Sequence, residues 1–151
     1  MAVCLGLILV FLLLRPTYWA YSSVRMQPFT NVVPARALQG PFQEQVRKAV
    51  PSVHRLTINP SFSTVAAAME WSTNDTPSRA ALPVSAELRI MALGSSPENA
   101  QGVANDAAAR LRTFLAQRYG GSVSVMTNTG GTGRYSFPSE LGLKIERLFQ
   151  R

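Results

Sequence analysis

Residues 84–121, VSAELRIMALGSSPENAQGVANDAAARLRTFLAQRYGG, contain the two strongest patterns of the chain, and together they decide its fold. In the first part, apolar residues from Val84 to Ala92 alternate with residues such as Glu87 and Arg89. Because successive side chains of a strand point to opposite faces, this alternation predicts a half-buried strand over 84–93.

The second part of this stretch has the pattern of a long amphipathic helix. Apolar residues recur every three or four positions from Ala100 to Tyr119 and form one stripe, rich in alanine. Ser95 stands three residues before Glu98, which is the spacing of a capping box, and Gly120 follows as a helix stop. We therefore predict a helix of about 22 residues that packs its stripe on a sheet.

The elements on either side are shorter, and their patterns are weaker. Alternating residues predict strands, and helical spacing after a proline predicts helices. In chain order they are a strand at 17–27, a helix at 41–50, a strand at 54–58, a second strand at 64–71 that completes a hairpin, a strand at 122–127, a Gly-rich loop at 128–134 and a final helix at 138–150.

Together these elements predict an α+β protein. With one strand treated as an addition, their order reduces to βαββαβ, the ferredoxin-like split unit, with the helices on one face of an antiparallel sheet. We divide the chain into a transmembrane anchor with an interfacial belt at 1–22, a ferredoxin-like domain at 23–135 and a basic amphipathic C-terminal helix at 136–151.

The N-terminus carries an uncharged apolar segment, MAVCLGLILVFLLL at 1–14, which predicts a single transmembrane helix. This segment is shorter than the roughly 20 residues of a full span. Arg15, Tyr18, Trp19 and Tyr21 follow it and are expected at the membrane interface. A secretory signal peptide is the alternative. It is disfavoured because no basic residue precedes the segment and the following residues match a cleavage site poorly.

The final helix has an apolar side and a basic side. Leu141, Ile145, Leu148 and Phe149 recur at helical spacing, with basic residues between them. These four residues are a candidate partner-docking surface. The alternatives are that this side packs on the protein's own domain or on a membrane surface.

Residue types that usually carry chemistry are few and scattered. His54 is the single histidine, Cys4 is the single cysteine, and the eight acidic residues show no pairing typical of general acid–base catalysis. The chain offers no cluster of metal ligands. The Gly-rich loop at 128–134 lacks the ending of a P-loop, so a flexible connection is the simpler interpretation. We therefore predict no catalytic, cofactor-binding or metal-binding residues, and no enzymatic activity.

The chain is basic, with a formal net charge of +7. Its arginines are dispersed, and the nearest to a cluster are Arg110, Arg112 and Arg118, late in the long helix, where the helix dipole favours cations. No nucleic-acid-binding motif accompanies the charge, so we expect no nucleic-acid partner.

Two short motifs point to a known family. Pro16, Tyr18 and Ala20 form a Pro-x-Tyr-x-Ala motif directly after the apolar segment. A second motif, LRIMALGSSPENAQGVAND at 88–106, leads a strand into a helix, and its matching residues are Pro97, Ala100, Ala104 and Asn105. Both resemble motifs of the membrane-proximal domain of polysaccharide co-polymerases, the Wzz-like chain-length determinants. The family's second transmembrane segment has no counterpart, because LGLKIERLFQR at 141–151 is too short and too charged to span a membrane.

The sequence favours a non-enzymatic accessory subunit that stabilises or assembles a larger membrane complex of respiratory, photosynthetic or envelope-secretion type. Its expected partners are other subunits of that complex and the lipid bilayer. The resemblance implies an alternative, a homo-oligomeric regulator of envelope polysaccharide chain length. A small enzyme using the Gly-rich loop is a third hypothesis. The many arginines and alanines favour a bacterial source, and with the apolar segment they predict a single-pass protein of the inner membrane. The resemblance implies a periplasmic domain, whereas Arg15 and Arg25, which follow the apolar segment, favour a cytoplasmic one.

Overall fold

The computed structural model describes residues 16–126 and 131–134, which form an α+β structure with a five-stranded antiparallel sheet and three α-helices. The strands are β1 (Tyr18–Gln27), β2 (Arg55–Ser61), β3 (Ser85–Gly94), β4 (Ser122–Met126) and β5 (Thr132–Arg134). The helices are α1 (Gln39–Ala49), α2 (Val65–Thr73) and α3 (Pro97–Tyr119), with short 3-10 turns at Arg36–Leu38 and Arg79–Ala81.

Several predictions concern residues outside these ranges. They include the transmembrane helix, Arg15, and the final helix with Leu141, Ile145, Leu148 and Phe149. Among the helices of the described ranges, none combines the length and the apolar character needed to cross a membrane.

Strand β1 is central in the sheet. The strand order is β2-β3-β1-β4, and every pairing is antiparallel. β3 runs beside β1 from the pair Tyr18 and Gly94 to the pair Met26 and Ala86. On the other side, β4 pairs with the second half of β1, and β5 pairs with its first three residues. The start of β1 therefore lies between β3 and β5.

The core lies between one face of the sheet and helices α1 and α3. Alternate residues of β1 and β3 turn to this face, and Val24, Leu88 and Ile90 are fully buried there. They pack with Phe42 of α1 and with the α3 stripe. The buried residues of that stripe are Ala100, Ala104, Ala107, Ala108, Leu111 and Leu115. The predictions of a strand at 84–93 and of a long helix with its stripe on the sheet are confirmed.

The start of α3 differs from the predicted capping box. The capping residue is Ser96 rather than Ser95, because the backbone N–H of Asn99 donates to Ser96 Oγ at 3.1 Å. The side-chain oxygen of Asn99 in turn accepts from the backbone N–H of Ser95 at 3.2 Å. Asn99 thus takes the reciprocal role expected of Glu98. The helix ends at Tyr119 as predicted, and Gly120 follows with φ of 66°.

The predicted strand at 64–71 is wrong, because this segment forms helix α2. Thr64 caps the helix by accepting a hydrogen bond from the backbone N–H of Ala67 at 3.1 Å. Ala67 and Trp71 are four residues apart, so they share the buried side of a helix as readily as one face of a strand. The alternation of apolar residues therefore suited both structures, and helix capping and packing selected the helix.

The Gly-rich segment at 128–134 is not a loop throughout. Residues 132–134 form strand β5, which pairs with Tyr18, Trp19 and Ala20 of β1. The additional strand of the sheet therefore comes from this segment and not from 64–71. Residues 127–130 lie outside the described ranges.

Candidate functional site

The sheet has a second face, on the side away from α1 and α3. Side chains at odd positions of β1 point to it, because successive residues alternate between faces. In the sheet register Trp19 lies opposite Leu93, Tyr21 opposite Met91, and Met91 opposite Arg55 of β2. We call this surface the second face; its members include Trp19, Tyr21, Arg55, Arg89 and Met91.

An aromatic pair lies on the second face near the start of β1. The rings of Trp19 and Tyr21 have centroids 5.2 Å apart in a tilted arrangement. The Arg89 guanidinium lies over the Tyr21 ring, 4.3 Å from its centroid, which is a cation–π contact. The Trp19 indole lies directly on β5, since a Cβ added at Gly133 would be 2.5 Å from Trp19 Cζ2.

The three aromatic residues predicted at a membrane interface do not share one side of the sheet. Tyr18 turns to the helix face, where it packs against a cluster of small residues. That cluster consists of Ala20, Ala92, Ala100 and Ala104. Trp19 and Tyr21 lie on the second face. Their location at a membrane stays a prediction, as does that of Arg15, which lies outside the described residues.

The charge on the second face is unevenly distributed. Arg55 is exposed and Arg89 is half-buried, and both lie near the level of Tyr21. Among the described residues of this face the acid is Glu87, which accepts a hydrogen bond from Ser23 Oγ at 2.7 Å and lies opposite Arg25. The part of the face nearest the start of β1 therefore combines aromatic rings with arginine.

Helix α2 presents a different kind of surface. Val65 and Met69, which we call the α2 patch, are 77% and 65% exposed and lie four residues apart on one side of the helix. On the opposite side of the helix, Ala67 and Trp71 are buried. The centroids of the Trp71 and Phe62 rings are 5.4 Å apart.

Polar contacts hold α2 in place near its C-terminal end. The Arg36 guanidinium donates to the carbonyl oxygen of Ser72. The Glu70 carboxylate accepts from the backbone N–H of Ser78 at 2.7 Å. The α2 patch is therefore a fixed apolar surface.

Among residues 16–126 and 131–134, the residue types that usually carry chemistry do not converge. His54 begins the approach to β2, where its backbone N–H donates to the Met91 carbonyl at 2.9 Å. Within the described residues, no group of three or more His, Cys, Asp or Glu side chains is placed to hold a metal ion. Gly131 and Gly133 lie against the Trp19 ring, so the structure gives these glycines a packing role.

One surface ion pair perturbs a titrating group. Lys48 Nζ lies 2.9 Å from the Glu44 carboxylate, one turn away on α1. The hydrogen bond and the charge of Lys48 hold the pKa of Glu44 below its usual range. Both side chains are exposed, so this pair fits a helix-surface contact rather than an acid–base site.

No model of a known protein family matches the chain, and no curated protein matches its sequence. The structure itself offers two candidate surfaces among the described residues, the second face and the α2 patch. Sequence reasoning missed the α2 patch, because a strand over 64–71 puts Val65 and Met69 on the same face as Ala67 and Trp71. It also missed Arg55 and Arg89 as neighbours of Tyr21, since register between strands is not visible in the sequence.

Proposed function

We propose that the protein is a non-enzymatic accessory subunit, held by one span in a bacterial inner membrane, that stabilises or assembles a larger membrane protein complex. The α2 patch is the observation that carries this proposal. Val65 and Met69 are 77% and 65% exposed on a helix held by contacts on its other side and near its end. Apolar side chains, with methionine among the enriched types, form the cores of protein interfaces.

The architecture fits a docking module. Without α2 and β5, the element order of the described residues is βαββαβ, and the strand order is β2-β3-β1-β4 with all neighbours antiparallel. This supports a ferredoxin-like domain. In that arrangement α2 is an addition between β2 and β3, which places the α2 patch outside the shared sandwich.

The test is extraction of the full chain from membranes in a mild detergent, followed by mass spectrometry of the co-purifying chains. We expect a defined set of membrane proteins with the parent chain and their loss with Val65→Gln combined with Met69→Gln. Val125→Gln is the control, because Val125 is 36% exposed on β4, which lies at the edge of the sheet opposite β2. Partners retained by the double variant, or a chain released from membranes by a carbonate wash, contradict the proposal.

A second candidate is a homo-oligomeric regulator of envelope polysaccharide chain length with a periplasmic domain. The observation that favours it is that residues of both family-like motifs lie together. Ala20 of the first motif and Ala100 and Ala104 of the second are fully buried in one cluster, against which Tyr18 packs. Native mass spectrometry of the extracted chain distinguishes the candidates. Assemblies containing only copies of this chain favour the regulator, and mixed assemblies favour the accessory subunit.

A further inference from the structure

We propose that the second face, around Trp19, Tyr21, Arg55 and Arg89, binds the anionic headgroups of the lipid bilayer. This inference rests on the proposed membrane span at 1–14. It goes beyond that proposal by assigning the domain an orientation, with the second face towards the bilayer and α1 and α3 away from it.

The chain length places this face close to the bilayer. Residues 15–17 separate the apolar segment from β1, which begins at Tyr18. Three residues span at most about 11 Å. The headgroup layer on each side of a bilayer is about 5 to 8 Å thick, from the difference between total and hydrocarbon thickness. The start of β1 therefore lies within or just outside the headgroup layer.

The side chains near that end match the chemistry of the layer. Tryptophan and tyrosine favour the membrane interface, and Trp19 and Tyr21 form a contacting pair there. Arginine binds phosphate groups through paired N–H donors. Arg89 is stacked on the Tyr21 ring, and Arg55 lies at the same level of the sheet on β2, with β3 between it and Tyr21. Glu87 lies two residues from Arg89 and opposite Arg25, so Arg25, Arg55 and Arg89 outnumber the acid on the described part of this face.

Fluorescence quenching tests this inference, because Trp19 and Trp71 are the chain's two tryptophans. Trp19 lies on the second face, and Trp71 lies in the core that the helices cover. Trp71→Phe leaves Trp19 as the reporter, and Trp19→Phe leaves Trp71, which is 5% exposed in the core. The full chain is reconstituted in vesicles of phosphatidylcholine with or without phosphatidylglycerol, with bromine on the upper acyl chain. We expect Trp19 to be quenched at least twofold more than Trp71, and more strongly with phosphatidylglycerol present.

Charge variants complete the test. Arg55→Gln combined with Arg89→Gln is expected to abolish the phosphatidylglycerol dependence, as is high salt, whereas the matched pair Arg112→Gln and Arg118→Gln on α3 leaves it unchanged. In the unsubstituted chain both tryptophans fluoresce, so the quenching of Trp19 appears as a partial loss of the total signal. Its dependence on phosphatidylglycerol can therefore be measured even if a tryptophan variant fails to fold.

Three outcomes overturn the inference. One is equal quenching of Trp19 and Trp71, and another is quenching of Trp19 that ignores phosphatidylglycerol. The third is quenching of Trp19 that appears only after deletion of residues 135–151, which would make the chain's own C-terminal segment the occupant. Each measurement uses a chain that a carbonate wash does not release from the vesicles. A failure of the proposed span is therefore distinguished from a failure of the headgroup contact.

Discussion

At the residue scale, Trp19 and Gly133 explain one unusual stretch of sequence. The glycines of TNTGGTGR suggest a nucleotide-binding loop or a flexible connection. In the structure, Gly133 lies in β5 opposite Trp19, and the indole ring covers its backbone. A strand glycine beneath an aromatic ring is protected from solvent and allows close approach, so packing accounts for the glycine at this position.

Gly133→Ala is expected to destabilise the protein by about 1 to 3 kcal/mol, because the new Cβ would be 2.5 Å from Trp19 Cζ2. Urea unfolding of the detergent-solubilised chain measures the loss. Gly102→Ala is the control, since an added Cβ meets nothing within 4 Å in the helix α3, and this change should stabilise by up to about 1 kcal/mol. Equal effects of the two substitutions would contradict the packing role of Gly133.

Trp71 gives a second prediction at this scale. Its indole N–H is buried, and among the described residues it has no hydrogen-bond partner. Trp71→Phe removes this unpaired donor and keeps most of the ring, so we expect a loss below about 1.5 kcal/mol. Trp71→Ala should cost about 3 to 5 kcal/mol through the cavity. The comparison is made by urea unfolding, and a loss for Trp71→Phe as large as that for Trp71→Ala would contradict the expectation.

At the element scale, helix ends are set by specific hydrogen bonds that spacing rules locate only approximately. Ser95 and Ser96 are adjacent, and either has a polar side chain suited to capping. The residue that caps is the one whose backbone is extended while its oxygen meets the third helical N–H. Ser96 satisfies both conditions, with φ of −141° and ψ of 165° and a bond to Asn99.

Ser96→Ala is therefore expected to destabilise the protein by about 1 kcal/mol. Ser95→Ala should change the stability by less than about 0.5 kcal/mol. Chemical unfolding of both variants under the same conditions measures the difference. The reverse order of effects would assign the cap to Ser95.

Helix α2 shows why the spacing of apolar residues does not distinguish a helix from a strand in a short element. Val65, Ala67, Met69 and Trp71 stand at every second position, so a period of two and a helical spacing of four coincide. The environment decides between them, because the helix lets Trp71 pack into the core beside Phe62. Long α3 is free of this ambiguity, since its stripe extends over many turns.

At the scale of the whole molecule, two packing clusters share the same elements. The larger cluster contains Leu88 and Leu111, and the smaller one contains Ala92 and Ala104. Both join β3 to α3, with alanines where the helix lies against the start of β1 and leucines further along. The clusters are parts of one interface between sheet and helix, so they should unfold together.

Leu111→Ala is expected to cost about 2 to 5 kcal/mol through a cavity, and Ala104→Leu about 1 to 3 kcal/mol through overpacking. Both should lower the midpoint of one cooperative transition, followed by circular dichroism and by tryptophan fluorescence. Val103→Ala is a milder comparison, because Val103 is only partly buried beside the smaller cluster. Separate transitions in the two variants would show that the clusters are independent.

The sequence by itself determined the α+β class, the long helix with its Ala-rich stripe, and the strands that precede and follow that helix. These features depend on periodicity over many residues, which is a local property of the chain. Only the tertiary structure decided that 64–71 is a helix, that the Gly-rich segment supplies β5, and that Arg55 and Arg89 lie beside Tyr21. Each of these depends on contacts between residues far apart in the chain. Such contacts are set by strand register and core packing, which local patterns do not encode.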